Sequence, residues 1–281
     1  MPMIVIATTL LAAVLHAGWN ALAKGAADKH LSMAGVILGH LPYAAIGLLF
    51  VPMPDLACWP YLIGSLVMHF GYQVFLLNAY RIGDLTQVYP VARGIAPMIV
   101  AAVSVTILGV TLGWMEVAAI ALIATGLLSL GLVRGQAGTR NPKAAMLAAV
   151  TGFFIAGYSL IDGLGARVAG TAVGFYSWSA IGNALVFAVF LKMRHPGVIG
   201  RLWSEGRFVL IWGGLASYCA YALVVWGFMQ APIALVTALR ETSIVFALFI
   251  GVFFMNERLD LMKIAATFAT ITGAILLRFA R

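Results

Sequence analysis

Arg93, Arg240 and Glu241 stand deep inside long apolar runs of the chain. An ion at the centre of a bilayer costs at least about 2.5–3.5 kcal/mol, so ionisable groups at that depth are functional candidates. Two guanidinium groups against one carboxylate leave one positive charge for a ligand or for another acceptor. The fork of an arginine matches the paired oxygens of a carboxylate or phosphonate. The alternative is that Glu241 neutralises one arginine and the set only holds the chain together. Thr86, Tyr89 and Arg93 share one helical face by their spacing, as do Thr237, Arg240 and Glu241. Pro90 and Pro97 bracket Arg93 and remove the donors that would bond the carbonyls of Thr86 and Arg93. That pattern predicts either a hinge beside a cavity or a simple kink.

Histidines and aromatic residues add a second set. His16 shares a helical face with Trp19 and Asn20, and His69 shares one with Tyr72 and Gln73. Histidine titrates near neutrality, so His16 and His69, together with Glu241, are the candidates for carrying a coupling proton. A lone histidine in a membrane helix is otherwise a hydrogen-bonded packing residue. Trp19, Tyr72, Tyr89, Tyr158, Tyr176, Trp178, Tyr218 and Tyr221 lie inside apolar runs rather than at their ends. Such rings can stack on a cation, or simply fill space. Trp59 and Trp203 fall at run boundaries, where an interfacial belt explains them. Ser159 follows Tyr158, and a Ser159–His16 pairing would be the one nucleophile–base combination open to an intramembrane enzyme. Asp162 comes near the predicted end of its run and reads as a boundary residue or, alternatively, as a cation partner.

These side chains need elements to hold them, and composition says which. The chain has 281 residues, 63% hydrophobic and 9% charged, with a net charge of +8. Soluble domains carry roughly 25% charged residues. The mean hydropathy of +1.03 leaves an all-α polytopic membrane protein as the fold class. Alternating ten-residue segments of a barrel are absent. The basic residues sit between the apolar runs and form no stripe interleaved with aromatics, so nucleic acid is not a partner. The two cysteines, Cys58 and Cys219, have no metal-ligand spacing. No phosphate loop, dinucleotide fingerprint or zinc-protease motif occurs, and neither a cofactor nor a metal is expected.

A bilayer core needs about 20 apolar residues per helix. On that basis ten transmembrane helices are predicted near residues 3–23, 31–51, 59–79, 85–109, 115–133, 144–163, 172–192, 208–229, 232–254 and 261–279. The polar stretch 134–143 divides them into 1–133 and 144–281, with five helices each. The two parts read as copies. An offset of 147 places Arg93 on Arg240, Ala118–Ala119 on Ala265–Ala266 and Thr125–Gly126 on Thr272–Gly273. An offset of 139 places AGWNAL (17–22) on AGYSLI (156–161), which sets Tyr158 and Ser159 opposite Trp19 and Asn20. An odd number of helices per copy inserts the second upside down, giving two five-helix inverted-topology repeats with a site at their interface.

The pair LGWMEVAAIALIATGLLSLGL (112–132) and ERLDLMKIAATFATITGAILL (257–277) carries a family resemblance. Each has an acidic residue near its start (Glu116, Glu257) and a glycine near its end (Gly126, Gly273). With ten helices in two halves, the chain resembles the drug/metabolite transporter superfamily, EamA type. The opening HAGWNALAK (16–24) resembles a subgroup linked with phosphonate utilisation, while the acidic first-helix residue of the small multidrug relatives is missing.

Residues and resemblance together imply a secondary transporter of the cell inner membrane that works by alternating access, with coupling to a proton as an option. Its partners would be a small-molecule substrate and the lipid bilayer, and it would act as a monomer or homodimer. Arg93 and Arg240, assisted by Tyr89, would meet the anionic end of a zwitterion or anion such as an amino acid or aminophosphonate. Glu241 with Trp19 and Tyr158 would meet an ammonium end. Asn20, Ser159, Tyr72 and Tyr221 complete the expected binding set. Two alternatives stand beside this: a choline-like quaternary ammonium held in an aromatic cage, and the intramembrane enzyme.

Charge bias also gives an orientation. The connectors on one side hold 12 Lys or Arg residues and the opposite side holds three, Arg167, Arg278 and Arg281. The positive-inside rule then puts both termini outside the cytoplasm, whereas the resemblance implies both inside. If the charge bias governs, a fluorescent protein that matures only in the cytoplasm stays dark when fused to the C-terminus, and normal fluorescence reverses the assignment.

Overall fold

The computed structural model describes residues 1–24, 28–83, 85–131, 141–255 and 261–280, apart from the side chains of residues 24, 85–87, 131 and 255. Thr86 as a side chain, Glu257, Arg258 and most of the 134–143 link therefore lie outside the described residues. The helices in chain order are α1 (Met3–Lys24), α2 (Lys29–Leu38), α3 (His40–Leu48), α4 (Trp59–Ile82), α5 (Leu85–Thr106), α6 (Trp114–Gly131) and α7 (Pro142–Ala169). They continue with α8 (Ala172–Arg194), α9 (Val198–Glu205), α10 (Gly214–Gln230), α11 (Ile233–Arg240), α12 (Ser243–Met255) and α13 (Leu261–Phe279). The fold is all-α and polytopic: among the described residues, nine helical segments are long and apolar enough to cross a membrane, and Trp114–Leu130 is a shorter tenth. Large apolar side chains such as Leu11, Ile63, Val189 and Phe268 are exposed on its flanks, as a lipid-facing surface requires.

Local chemistry sets the helix ends. Asp28 caps α2 by accepting from the amides of His30 and Leu31. Asn141 caps α7, with Pro142 at the first helical position where no donor is needed. Thr171 caps α8. At the other end of α10, Arg167 donates to the carbonyl oxygens of Phe228 and Ala231, which the helix leaves unpaired.

Four of the predicted helices are built differently from the expectation. The second is divided into α2 and α3 at Gly39 because α10 crosses there at backbone distance. A methyl on Gly39 would collide with the Leu210 carbonyl oxygen, and one on Gly214 would stand 2.7 Å from the Gly39 Cα. The approach coincides with a π-helical turn, Val209–Gly213, that opens the eighth span, and Tyr43 donates to the Ile211 carbonyl within it. The fourth span runs unbroken as α5 through both Pro90 and Pro97. The break falls instead in the ninth span, between α11 and α12, where Glu241 and Thr242 turn tightly with amides bonded to Ala238 and Leu239. The sixth span is longer than expected, running 28 residues to Ala169 rather than ending near 163.

Helix packing is exchanged between the two parts of the chain. α1 packs on α10, α11 and α12, while α7 packs on α4 and α5. α3 packs on α8, α5 on α11 and α6 on α13. The last pair is reciprocal in detail. A methyl on Gly126 would stand 3.4 Å from the Ala266 carbonyl oxygen, and one on Gly273 would stand 2.9 Å from that of Ala119. Those are the partners that the 147-residue offset equates.

The Gly39–Gly214 crossing is directly testable. Overpacking a tight contact costs about 1–3 kcal/mol. Gly214→Ala is expected to lower the melting temperature of the purified protein. Gly18→Ala, at a site with nothing within 4 Å, should leave it unchanged or raise it.

Candidate functional site

The buried charges come together where α5 meets α11. Arg93 Nε lies 2.7 Å from Glu241 Oε2, with both side chains at most 5% exposed. Arg93 Nη2 also donates to Ser243 Oγ at 3.2 Å. Its guanidinium carbon sits 5.8 Å from the Tyr89 ring centre. Glu241 is thus committed to Arg93. Arg240 Nε is 4.0 Å from Glu241 Oε1, and its Nε and Nη2 have no hydrogen-bond partner in the protein. The guanidinium of Arg240 rests against two rings instead, 6.0 Å from the centre of Tyr158 and 5.8 Å from that of Tyr221. The backbone turn after Arg240 produces this difference, because it sends neighbouring charged side chains to different surroundings.

Arg240 forms part of the wall of a cavity of about 90 Å³ between the two parts of the chain. The first part lines it with α1, α2, α3 and α4, and the second with α7, α8, α10 and α11. His16, Trp19, His69, Tyr72, Tyr158, Tyr221 and Arg240, all singled out in the sequence, reach this cavity. Arg93, Glu241, Tyr89, Asn20 and Ser159 do not line it. Asn20 donates to the carbonyl of His16 within α1, and Ser159 to that of Ile155 within α7. Ser159 is fully buried, so the Ser159–His16 pairing that an enzyme would need is not assembled at the cavity.

The structure adds residues that the sequence did not single out as binding groups. Gln73 Oε1, His40 Nε2 and Asn183 Oδ1 are buried at the cavity wall without a partner, as is Trp19 Nε1. A buried polar group without a partner costs about 1–3 kcal/mol, a cost that water or a polar guest at this wall would offset. Tyr176 closes the aromatic side, with its ring centre 4.9 Å from that of Tyr221. Asn183 shares the inner face of α8 with Tyr176 at helical spacing, the one signal by which it could have been found.

Asp162 requires a correction. It is not a boundary residue: α7 extends beyond it, and it is fully buried. Its Oδ2 is 2.9 Å from His69 Nε2 and accepts the Tyr221 hydroxyl at 2.8 Å. The His69 ring lies flat on Tyr158, with centres 4.3 Å apart and planes at 11°.

Comparison with known proteins bears on the whole chain. Residues 142–279 match the model of the EamA-like transporter family. No functionally curated protein matches the sequence. Solved structures do, 28 chains in all. One of them, described only as the crystal structure of a protein, aligns over 98% of this chain and 96% of its own with a TM-score of 0.76. At 19% identity that likeness concerns the fold alone.

The two arginines separate in a stability measurement. Arg93→Met leaves Glu241 buried without its close partner, a loss of about 3–5 kcal/mol. Arg240→Met keeps the Arg93–Glu241 pair and should shift stability by less than about 1 kcal/mol. Thermal unfolding of the two purified variants beside the parent protein checks the order, and equal losses would show that Arg240 is also structurally paired.

Proposed function

We propose that this chain, whose residues 142–279 are of EamA-like type within the drug/metabolite transporter superfamily, carries a small anionic or zwitterionic metabolite across the inner membrane by alternating access. The observation that carries the substrate class is the Arg240 guanidinium, buried in the cavity wall with its Nε and Nη2 free of hydrogen bonds. Hydrogen bonds to a carboxylate or phosphonate would satisfy its free nitrogens in a low-dielectric site, where charge-assisted bonds are strongest. Arg240 rather than Arg93 takes the binding role, since Arg93 already holds Glu241. The exchanged helix contacts between the halves support alternating access, in which one half rocks against the other around a fixed site.

The aromatic cage for a quaternary ammonium is the weaker reading. Trp19 and Tyr158 do line the cavity, but Tyr158 and Tyr221 already carry the Arg240 cation on their rings. A second cation would meet its repulsion.

Alanine, aminomethylphosphonate and choline make a discriminating panel, read by thermal shift and by uptake into proteoliposomes. A ligand at about 100 times its Kd adds about 2.7 kcal/mol of stability. Stabilisation and uptake are expected for at least one of the two acid-bearing compounds, and Arg240→Met is expected to remove both effects. Stabilisation by choline alone, lost in Trp19→Ala, would replace this reading with the cage. If no solute crosses under any ion gradient while one is chemically altered, the protein is an enzyme instead.

A further inference from the structure

We propose that His69 and Asp162 form a proton-binding site at the cavity, with His69 as the group that takes the proton and Asp162 as the residue that positions it. Asp162 Oδ2 accepts the Tyr221 hydroxyl and lies 2.9 Å from His69 Nε2. An ionised carboxylate only accepts, so the hydrogen between these two atoms belongs to Nε2. The neutral imidazole is then the Nε2–H tautomer, and its Nδ1 lone pair is free of this contact. His69 lines the cavity and keeps 14% of its side chain exposed, whereas Asp162 behind it is fully buried. A proton arriving from the cavity adds to Nδ1, and the product is an imidazolium held against a carboxylate. No other bond changes.

The groups around His69 favour that product without supplying the proton themselves. From α7 come Asp162 and the flat face of Tyr158, and from α10 the edge-on ring of Tyr221, its centre 5.6 Å away. On its own helix Tyr72 lies one turn further along, with its ring set edge-on to Tyr158. From α3, His40 stands within electrostatic reach. From α8, Tyr176 sits beside Asp162. Arg240 of α11 is screened from the imidazole by the Tyr158 and Tyr221 rings on which it rests. Glu241 stands apart from this site, 2.7 Å from Arg93.

This proton has a consequence that rests on the function proposed above. An imidazolium at His69 adds a positive charge to the same cavity wall as Arg240, so protonation and anion binding favour each other. By linkage the effect is reciprocal.

Nitrogen-15 NMR of histidine in the full chain, reconstituted in lipid, reads the site without any substrate. The His69 signals are identified by their loss in His69→Gln. As the pH is lowered, His69 is expected to pass from neutral to doubly protonated. In Asp162→Asn that passage should shift to lower pH, and Asp162→Glu should restore it. Melting temperature shows whether each variant is folded, and Tyr221→Phe, which keeps the ring and removes one donor, provides a milder probe. Adding aminomethylphosphonate should move the His69 transition in the parent protein, and its affinity should rise at least about fivefold on acidification. An imidazole that stays neutral throughout, or a transition unchanged in both Asp162→Asn and Tyr221→Phe, overturns the proton site whatever the vesicles transport. A normal transition with no response to any acid-bearing solute leaves the proton site standing and removes the substrate reading.

Discussion

Glu241 is a carboxylate with almost no contact with solvent in the middle of a membrane-spanning bundle, and its ion pair with Arg93 is the interaction on which the cavity depends. A buried carboxylate without a cation is strongly destabilising, whereas a close and well-supported pair roughly offsets its own desolvation. The pair therefore ties the fourth span to the ninth and fixes where the ninth may bend. Once Glu241 turns toward Arg93, the preceding residue must project elsewhere. Arg240 is left on the cavity side with aromatic faces as its neighbours and no carboxylate within hydrogen-bond distance. The free cation is thus a product of the paired one.

The exchange of contacts between halves gives this arrangement its setting. Each half packs its first helix into the other half, and the cavity opens between equivalent elements: α1 and α7, α2–α3 and α8, α4 and α10. Arg93 and Arg240 are themselves equivalent by the 147-residue offset, yet they do different work. The symmetry fails at the backbone. α5 remains continuous, while its counterpart breaks at Glu241–Thr242. Only one half carries a carboxylate at that point, and the position after Arg93 is Gly94. A bulkier residue there would meet Leu128 of α6 at 2.8 Å. The divergence of a single pair of positions, glycine against glutamate, accompanies the difference between an arginine in a close ion pair and one resting on two aromatic rings.

Much of this was legible in the sequence because a bilayer limits the choices. The span count, the all-α class and the importance of Arg93, Arg240 and Glu241 follow from hydropathy and from the cost of buried charge. What was not legible depended on contacts between distant segments. Proline marks α5 as the place to break, yet α5 is held on both sides by α6 and α7 and continues, and the break falls in TALRETS (237–243), which has neither proline nor glycine. Gly39 interrupts the second span only because Gly214 arrives opposite it. Asp162 was misread for a simpler reason. The apolar run seemed to stop beside it, but α7 continues past it by way of small residues, Gly163, Gly165 and Ala166, and an Arg167 that is bonded to carbonyls rather than solvated.

Placing Asp162 inside the bundle changes the electrical character of the site. Arg93, Arg240, Glu241 and Asp162 give the buried region two charges of each sign when His69 is neutral. Tyr221 joins the two uncompensated members, donating its hydroxyl to Asp162 and offering its ring to Arg240. A region balanced in this way is already near its electrostatic minimum, so a guest that brings net charge must be compensated before it can cross a low-dielectric interior. A zwitterion brings none and needs no helper. A monoanion leaves one negative charge in excess, which a single proton at His69 cancels. On the proposed function, the same balance of charge would admit zwitterions unaided and monoanions with a proton, so an accompanying proton in transport would distinguish the two kinds of solute.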